Sequence, residues 1–94
     1  MQRRRHLVAY DIRDPKRLRS VAIVMLGHGV RMQYSVFVCD LTARERLNLV
    51  NALLDIIDRS VDSIAVVDLG AVDHRAFTFF GPKPSLPTVG PVVI

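Results

Sequence analysis

A strong helix signal near the N-terminus constrains the fold more than any other feature of this chain. Asp14 is a typical N-cap residue and Pro15 suits the first helical position, so a helix is predicted to begin there. Gly27 and Gly29 predict its end. The apolar stripe behind this signal has helical spacing and predicts one buried face. Its members are Leu18, Val21, Ala22, Met25 and Leu26.

A second helix is predicted to begin at Thr42, because Glu45 lies three residues later and completes a capping box. Its apolar residues cover about half of the helix and its other face is polar, so one side is expected to pack on a sheet and the other to meet water. The main apolar stripe is Leu47, Val50, Leu54 and Ile57, with Leu49, Leu53 and Ile56 beside it, opposite Arg44, Asn48, Asn51, Asp55 and Asp58.

Strands are predicted at residues 7–10, which are apolar, and around residues 30–41, 63–69, 76–80 and 89–94, which are rich in β-branched and aromatic residues. Residues 30–41 form either one bent strand or a hairpin that reverses near residues 33–35, and periodicity does not separate the two. The hairpin gives the order βαββαβ, the ferredoxin-like arrangement of an α+β fold. We expect this domain over residues 1–80. The remainder, residues 81–94, is expected to be a proline-rich linker and an extra strand that adds to the edge of a partner subunit.

Composition points to a small basic dimer in a reducing compartment. A chain of 94 residues, half of them hydrophobic, is one domain with more apolar surface than a monomer of this size hides easily. The net charge is +4 and eleven of the thirteen basic residues are arginine, which suits phosphate contact but also describes an ordinary basic surface. The single cysteine, Cys39, is expected to be apolar filler. The absence of a membrane-length apolar run or a secretory signal predicts a cytoplasmic location.

Asp11 follows the first predicted strand directly, which places a carboxylate at the rim of the sheet, where ligands usually bind. One carboxylate is a poor site for Mg²⁺, but two-fold symmetry would supply a second, so that two carboxylates and waters could hold one Mg²⁺ or Mn²⁺. The alternative is structural, since aspartate commonly caps a turn or favours a helix N-terminus. Tyr10 alternates with Asp11 and is expected on the other face, in the core or an interface.

The sequence Tyr10-Asp11-Ile12, the basic helix after Pro15 and the run over residues 28–37 together resemble the CRISPR-associated protein two family. The resemblance is strong over about the first half of the chain and follows element order beyond it. It implies a ferredoxin-like homodimer that acts with the CRISPR integrase subunit in spacer acquisition. Some members are metal-dependent endonucleases on single-stranded RNA or double-stranded DNA, and the integration complex uses the dimer as a scaffold for duplex DNA.

The resemblance also implies roles for residues beyond the metal ligand. Arg31 and Phe37 match positions near the family's cleavage centre, where an arginine could clamp a phosphate and a phenylalanine could stack on a base. A phenylalanine in an apolar strand is, however, more typical of a core. Arg17, Arg19 and Arg31 are the predicted nucleic-acid contacts, although the first two only flank the arginine spacing of some relatives.

Two other functional classes stay open at this point. Ferredoxin-like folds host many non-catalytic interaction modules, and toxin-type ribonucleases share the fold and the motif. His6, His28 and His74 lack metal-ligand spacing, and the sequence has no phosphate-binding loop or cysteine pair. Any hydrolytic chemistry therefore rests on Asp11.

Overall fold

The computed structural model describes residues 2–72, 78 and 80–82. These form β1 (Arg4–Asp11), α1 (Pro15–Leu26), β2 (Val30–Gln33), β3 (Val36–Leu41), α2 (Ala43–Ile56) and β4 (Ser63–Ala71). The strands make one antiparallel sheet in the order β2-β3-β1-β4, which confirms the ferredoxin-like arrangement. It also decides for the hairpin over the single bent strand, with the reversal at residues 34–35.

Both helices start where the sequence predicts, because each cap satisfies backbone donors that a helix start leaves free. The Asp14 carboxylate accepts a hydrogen bond from the Arg17 amide at 2.9 Å. Thr42 Oγ1 accepts from the Glu45 amide at 3.1 Å, and the Glu45 carboxylate accepts from the Thr42 amide at 2.8 Å, which completes the capping box. The two caps therefore fix where the β1–α1 and β3–α2 connections end.

The connection from α1 to β2 depends on Gly29. A Cβ at this position would overlap the Val38 carbonyl oxygen and lie 2.5 Å from Cys39 Sγ, so only glycine lets the chain approach β3 this closely before β2 begins. Cys39 itself is fully buried, as expected of filler, and burial raises the pKa of its thiol to about 12.

Alternation along β1 places neighbouring residues on opposite faces of the sheet. Val8 and Tyr10 point into the core beneath the two helices, which confirms the expectation for Tyr10. Asp11 pairs with Ser63 and lies on the face away from the helices, beside the small pair Ala9 and Ala65. Within the core the helices contribute Val21, Met25, Leu49 and Leu53.

The buried row of α2 differs from the predicted one. Leu49 and Leu53 are buried, whereas Leu47, assigned to the main stripe, is 59% exposed. On α1, Leu26 was likewise assigned to the buried stripe and is exposed at the end of the helix. An apolar arc that covers half a helix does not fix its own centre, and packing on the neighbouring helix and sheet decides which row is buried.

β1 and β4 are longer than the segments that predict them. β1 begins at Arg4, because Arg4 pairs with both Leu41 and Ala71, and the buried Arg5 is neutralised by Asp40 at 2.8 Å. The predicted strand at residues 76–80 and the linker at residues 81–87 fall mostly outside the described residues, and the C-terminal strand at residues 89–94 falls wholly outside them. Neither α1 nor α2 has the length and hydrophobicity that a membrane-spanning helix needs, within the part of the chain described.

Candidate nucleic-acid interface

Asp11 ends β1 with a side chain that is 65% exposed. Its carboxylate lies 3.5 Å from Arg13 Nη2 and accepts no backbone hydrogen bond from the described residues. Two other aspartates bind the backbone amides of this region. Asp14 caps α1, and Asp62 accepts from the Arg13 amide at 2.9 Å. The contacts of Asp11 among the described residues therefore give no support to the turn-capping interpretation.

A divalent ion fits Asp11 only with help from outside one chain. Within the described residues, no group of three histidine, cysteine or acidic side chains could hold a metal ion. Mg²⁺ usually keeps several waters and takes one or two carboxylates plus substrate phosphates, so a single exposed carboxylate can be half of such a site. The small side chains of Ala9 and Ala65 line the shallow depression beside Asp11 and leave room for a second carboxylate or a phosphate to approach.

Arg17, a predicted nucleic-acid contact, is held by a carboxylate instead of facing solvent freely. Its Nε lies 2.7 Å from Asp62 Oδ2 and its Nη2 lies 3.2 Å from Asp62 Oδ1, and the side chain is 28% exposed. Hydrogen bonding from Arg17 holds the pKa of the Asp62 carboxyl well below its usual range. Direct contact of Arg17 with phosphate stays a prediction, because its Nε and Nη2 groups already donate to the Asp62 carboxylate.

Arg19 and Arg31, the other predicted contacts, are exposed and have no carboxylate partner among the described residues. They meet in one pocket between α1 and the β2–β3 turn, which Tyr34 and the side chain of Leu18 also line. The Arg31 guanidinium carbon lies 5.8 Å from the Tyr34 ring centroid, within range of a cation–π contact. Stacking leaves the in-plane N–H groups of Arg31 directed outward, where they can donate to phosphate oxygens.

Phe37 belongs to the core and not to the solvent-facing site. Its ring is 0% exposed, stacks on Tyr10 with the centroids 6.2 Å apart and lies 5.2 Å from the Arg31 guanidinium carbon. Stacking on a nucleobase needs an exposed ring, so the base-stacking hypothesis is not compatible with this position. The core interpretation, which the apolar strand favoured, accounts for the residue.

The three residues proposed as catalytic therefore do not converge on one face. Arg31 pairs with Phe37 in the sheet and shares its face, toward α1, whereas Asp11 lies on the opposite face. Sequence reasoning also missed two residues of this region. Tyr34, an exposed ring in the hairpin turn, was overlooked because the turn itself was undecided, and Asp62 carries no local signal because its partners are distant in sequence.

The Tyr10 hydroxyl is a further feature that the sequence does not predict. It is closed to solvent and has no hydrogen-bond partner in the described part of the chain. The Tyr10 side chain nevertheless contributes to the lining of the Arg19 and Arg31 pocket. A buried hydroxyl without a hydrogen-bond partner lowers the stability of a fold.

Comparison with known proteins agrees with the fold and the motifs. The family model described as CRISPR associated protein Cas2 matches residues 4–76. The chain is 43% identical over 68 residues to the CRISPR-associated endoribonuclease Cas2 1 of Rhodospirillum rubrum, which covers 72% of this chain and 67% of the relative. It is 44% identical over 75 residues to the CRISPR-associated endoribonuclease Cas2 3 of Chloroflexus aurantiacus, which covers 80% of this chain and 81% of the relative.

A solved structure extends the likeness to three dimensions. The crystal structure of Streptococcus pyogenes Cas2 superposes with a TM-score of 0.74 at 38% sequence identity, covering 82% of this chain and 99% of that one. Fold, family match and sequence identity thus agree with the resemblance that the first half of the sequence carries. The chain belongs to the Cas2 family of CRISPR-associated proteins.

Proposed function

We propose that the chain is a metal-dependent endonuclease that cleaves RNA as a homodimer, with one Asp11 carboxylate from each subunit at the metal. The observation that carries this proposal is an exposed carboxylate at a strand end that accepts no backbone hydrogen bond from the described residues, while Asp14 and Asp62 accept from the backbone amides that follow it. RNA is the proposed substrate because two relatives bear the name endoribonuclease.

The residues around Asp11 suit a phosphodiester substrate. A divalent ion bound there would polarise a phosphate and activate water. Arg13, 3.5 Å from the carboxylate, balances its charge in the free chain and can turn to a phosphate oxygen when a substrate arrives. The small neighbours Ala9 and Ala65 keep the approach open from the face away from the helices.

Asp11→Asn tests the metal role, because asparagine keeps the shape and loses the charge that holds the ion. Cleavage of single-stranded RNA in Mg²⁺ or Mn²⁺ should disappear in this variant, while sedimentation and nucleic-acid binding stay as in the wild type. Asp68→Asn is the matched control, since it removes an equal charge from an aspartate paired with Arg4 toward the other end of β1. Wild-type cleavage in Asp11→Asn would falsify catalysis at this residue.

A second role, the binding of duplex DNA together with the integrase subunit, is favoured by the way the arginines are partnered. Five arginines are paired with carboxylates, whereas the described residues offer no carboxylate to five others. Free guanidinium groups release counterions from DNA when they meet its phosphates, so binding should weaken steeply with salt and show little sequence preference. The unpaired arginines are Arg19, Arg31, Arg44, Arg46 and Arg59.

The double variant Arg19→Ala/Arg31→Ala tests this role. The slope of log affinity against log salt concentration should fall by about two, because each phosphate contact contributes about one. Arg4→Ala, which removes an exposed arginine already paired with Asp68, should change the slope little. Equal slopes for the double variant and the wild type would remove the pocket from the DNA interface. Absence of RNA cleavage with any divalent ion, together with support for spacer integration by Asp11→Asn, would leave the scaffold as the function.

A further inference from the structure

Asp62 is the residue directly before β4, and its side chain is 0% exposed and accepts four hydrogen bonds. The amides of Arg13 and Asp58 donate to it, each at 2.9 Å, and the Arg17 guanidinium donates twice, at 2.7 and 3.2 Å. These donors belong to the β1–α1 loop, the first turn of α1 and the α2–β4 loop. One carboxylate therefore joins these three segments by hydrogen bonds.

The position of this carboxylate relates it directly to Asp11. Arg13 is two residues beyond Asp11, so the bond to the Arg13 amide fixes the backbone that leaves the strand end. Ser63, the residue after Asp62, is the register partner of Asp11 in β4. Asp62 thus holds the chain on both sides of Asp11, although the two carboxylates do not share a hydrogen bond.

We propose that Asp62 is the positioning residue of the Asp11 site: it fixes the strand end so that Asp11 presents its carboxylate to a divalent ion. The inference rests on the proposed metal role of Asp11. Groups that orient a metal ligand without touching the metal commonly change metal affinity or activity 10–100-fold when they are substituted. Arg17 serves here as the counter-charge that lets a carboxylate be buried beside the two amides.

Asp62→Asn is the first variant, since an amide has one accepting oxygen in place of two and cannot keep all four hydrogen bonds. Mn²⁺ binding to the full chain is measured by electron paramagnetic resonance, which counts free ions and needs no cleavage. Asp68→Asn is the matched control, because it removes the same charge from an aspartate that also accepts from an arginine and a backbone amide, here Arg4 and Gly70. Circular dichroism establishes that each variant is folded.

The expected result is a dissociation constant for Mn²⁺ raised about 10–100-fold in Asp62→Asn and within about twofold of wild type in Asp68→Asn. The Mn²⁺ concentration for half-maximal RNA cleavage should rise by the same factor, while KM for RNA stays unchanged. A purely structural role would leave both metal constants unchanged in the folded protein. If Asp62→Asn does not fold, Asp62→Glu replaces it under the same criterion, since it keeps the charge and moves the acceptors.

Asp11→Asn, measured beside these variants, separates two kinds of failure. Loss of Mn²⁺ binding in Asp11→Asn with unchanged binding in the folded Asp62 variants overturns the positioning role alone. Unchanged Mn²⁺ binding in Asp11→Asn overturns the metal site and the positioning role with it. Weakening in both the Asp11 and Asp62 variants, with Asp68→Asn unaffected, is the result that supports the inference.

Discussion

Substitution of Phe37 should reduce the free energy of unfolding strongly and change RNA cleavage and duplex binding by the folded protein little. The ring is fully buried, stacks on Tyr10 and has the Arg31 guanidinium carbon over its face, 5.2 Å from the ring centroid. Any effect on nucleic acid must therefore pass through its neighbours. If Phe37 contacted a base directly, its substitution would instead reduce cleavage and binding strongly and stability little.

The magnitude follows from what the ring contacts. Phe37→Ala leaves a large cavity, and substitutions of this kind cost about 3–5 kcal/mol. Phe37→Leu keeps most of the volume and loses the aromatic stack, itself worth about 0.5–1.5 kcal/mol, so roughly 1–3 kcal/mol is expected in total. In a domain of this size each 1 kcal/mol lowers Tm by about 4–8 °C, which makes both variants easy to resolve.

Urea unfolding followed by circular dichroism measures the stability, and RNA cleavage and duplex binding are assayed at a temperature where every variant is folded. Tyr34→Leu is the matched control, because this ring also contacts the Arg31 guanidinium and is 72% exposed. It should change the free energy of unfolding by less than about 0.5 kcal/mol. If folded Phe37→Leu were as stable as the wild type yet inactive, the core assignment would be refuted.

Three further predictions concern the fold and its assembly. Gly29→Ala should cost about 1–3 kcal/mol in thermal unfolding because its Cβ overlaps β3, whereas at Gly27 a Cβ meets nothing closer than 3.4 Å and the same change serves as control. The Arg17 hydrogen bond lowers the pKa of Asp62. The ionised Asp62 carboxylate therefore stabilises the fold fully above about pH 4, and this stabilisation is lost as the pH falls toward the folded-state pKa. The urea midpoint should fall with acid more steeply in wild type than in Asp62→Asn. Deletion of residues 87–94 should weaken the dimer in sedimentation velocity, and an unchanged dimer would contradict a C-terminal strand that pairs across subunits.

The parts of the fold that the sequence predicts well are those decided by neighbours along the chain. The Asp14 cap and the Thr42 capping box are local chemistry, and their donors lie three residues away. Strand alternation is equally local, so the opposite facing of Tyr10 and Asp11 follows from their adjacency. The hairpin between β2 and β3 is a less local choice, because pairing with β1 decides it, and the sequence left it open.

The candidate site is less predictable because its charges are partnered over long sequence distances. Arg17 lies 45 residues from Asp62, so no local pattern distinguishes it from Arg19, a near neighbour on α1 that has no carboxylate partner within the described part of the chain. The residues next to Phe37 in the sequence likewise do not tell whether its ring faces the core or a ligand. Only the sheet register, which pairs it with Arg31 beneath α1, decides between these roles.

The separation of the site into two faces constrains how a nucleic acid can use it. Asp11 opens onto the face away from the helices, and Arg31 opens toward α1, so one phosphate cannot meet both residues of a single chain without passing around the strand end. In the proposed homodimer, a nucleic-acid strand whose phosphate contacts Arg19 and Arg31 of one subunit would reach the two Asp11 carboxylates only with a different phosphate. If the chain acts as proposed, phosphate binding and bond cleavage are separable, since the arginines proposed to bind the backbone lie on the face opposite Asp11. The loss of cleavage at Asp11 would therefore leave a protein still able to hold nucleic acid on its helical side.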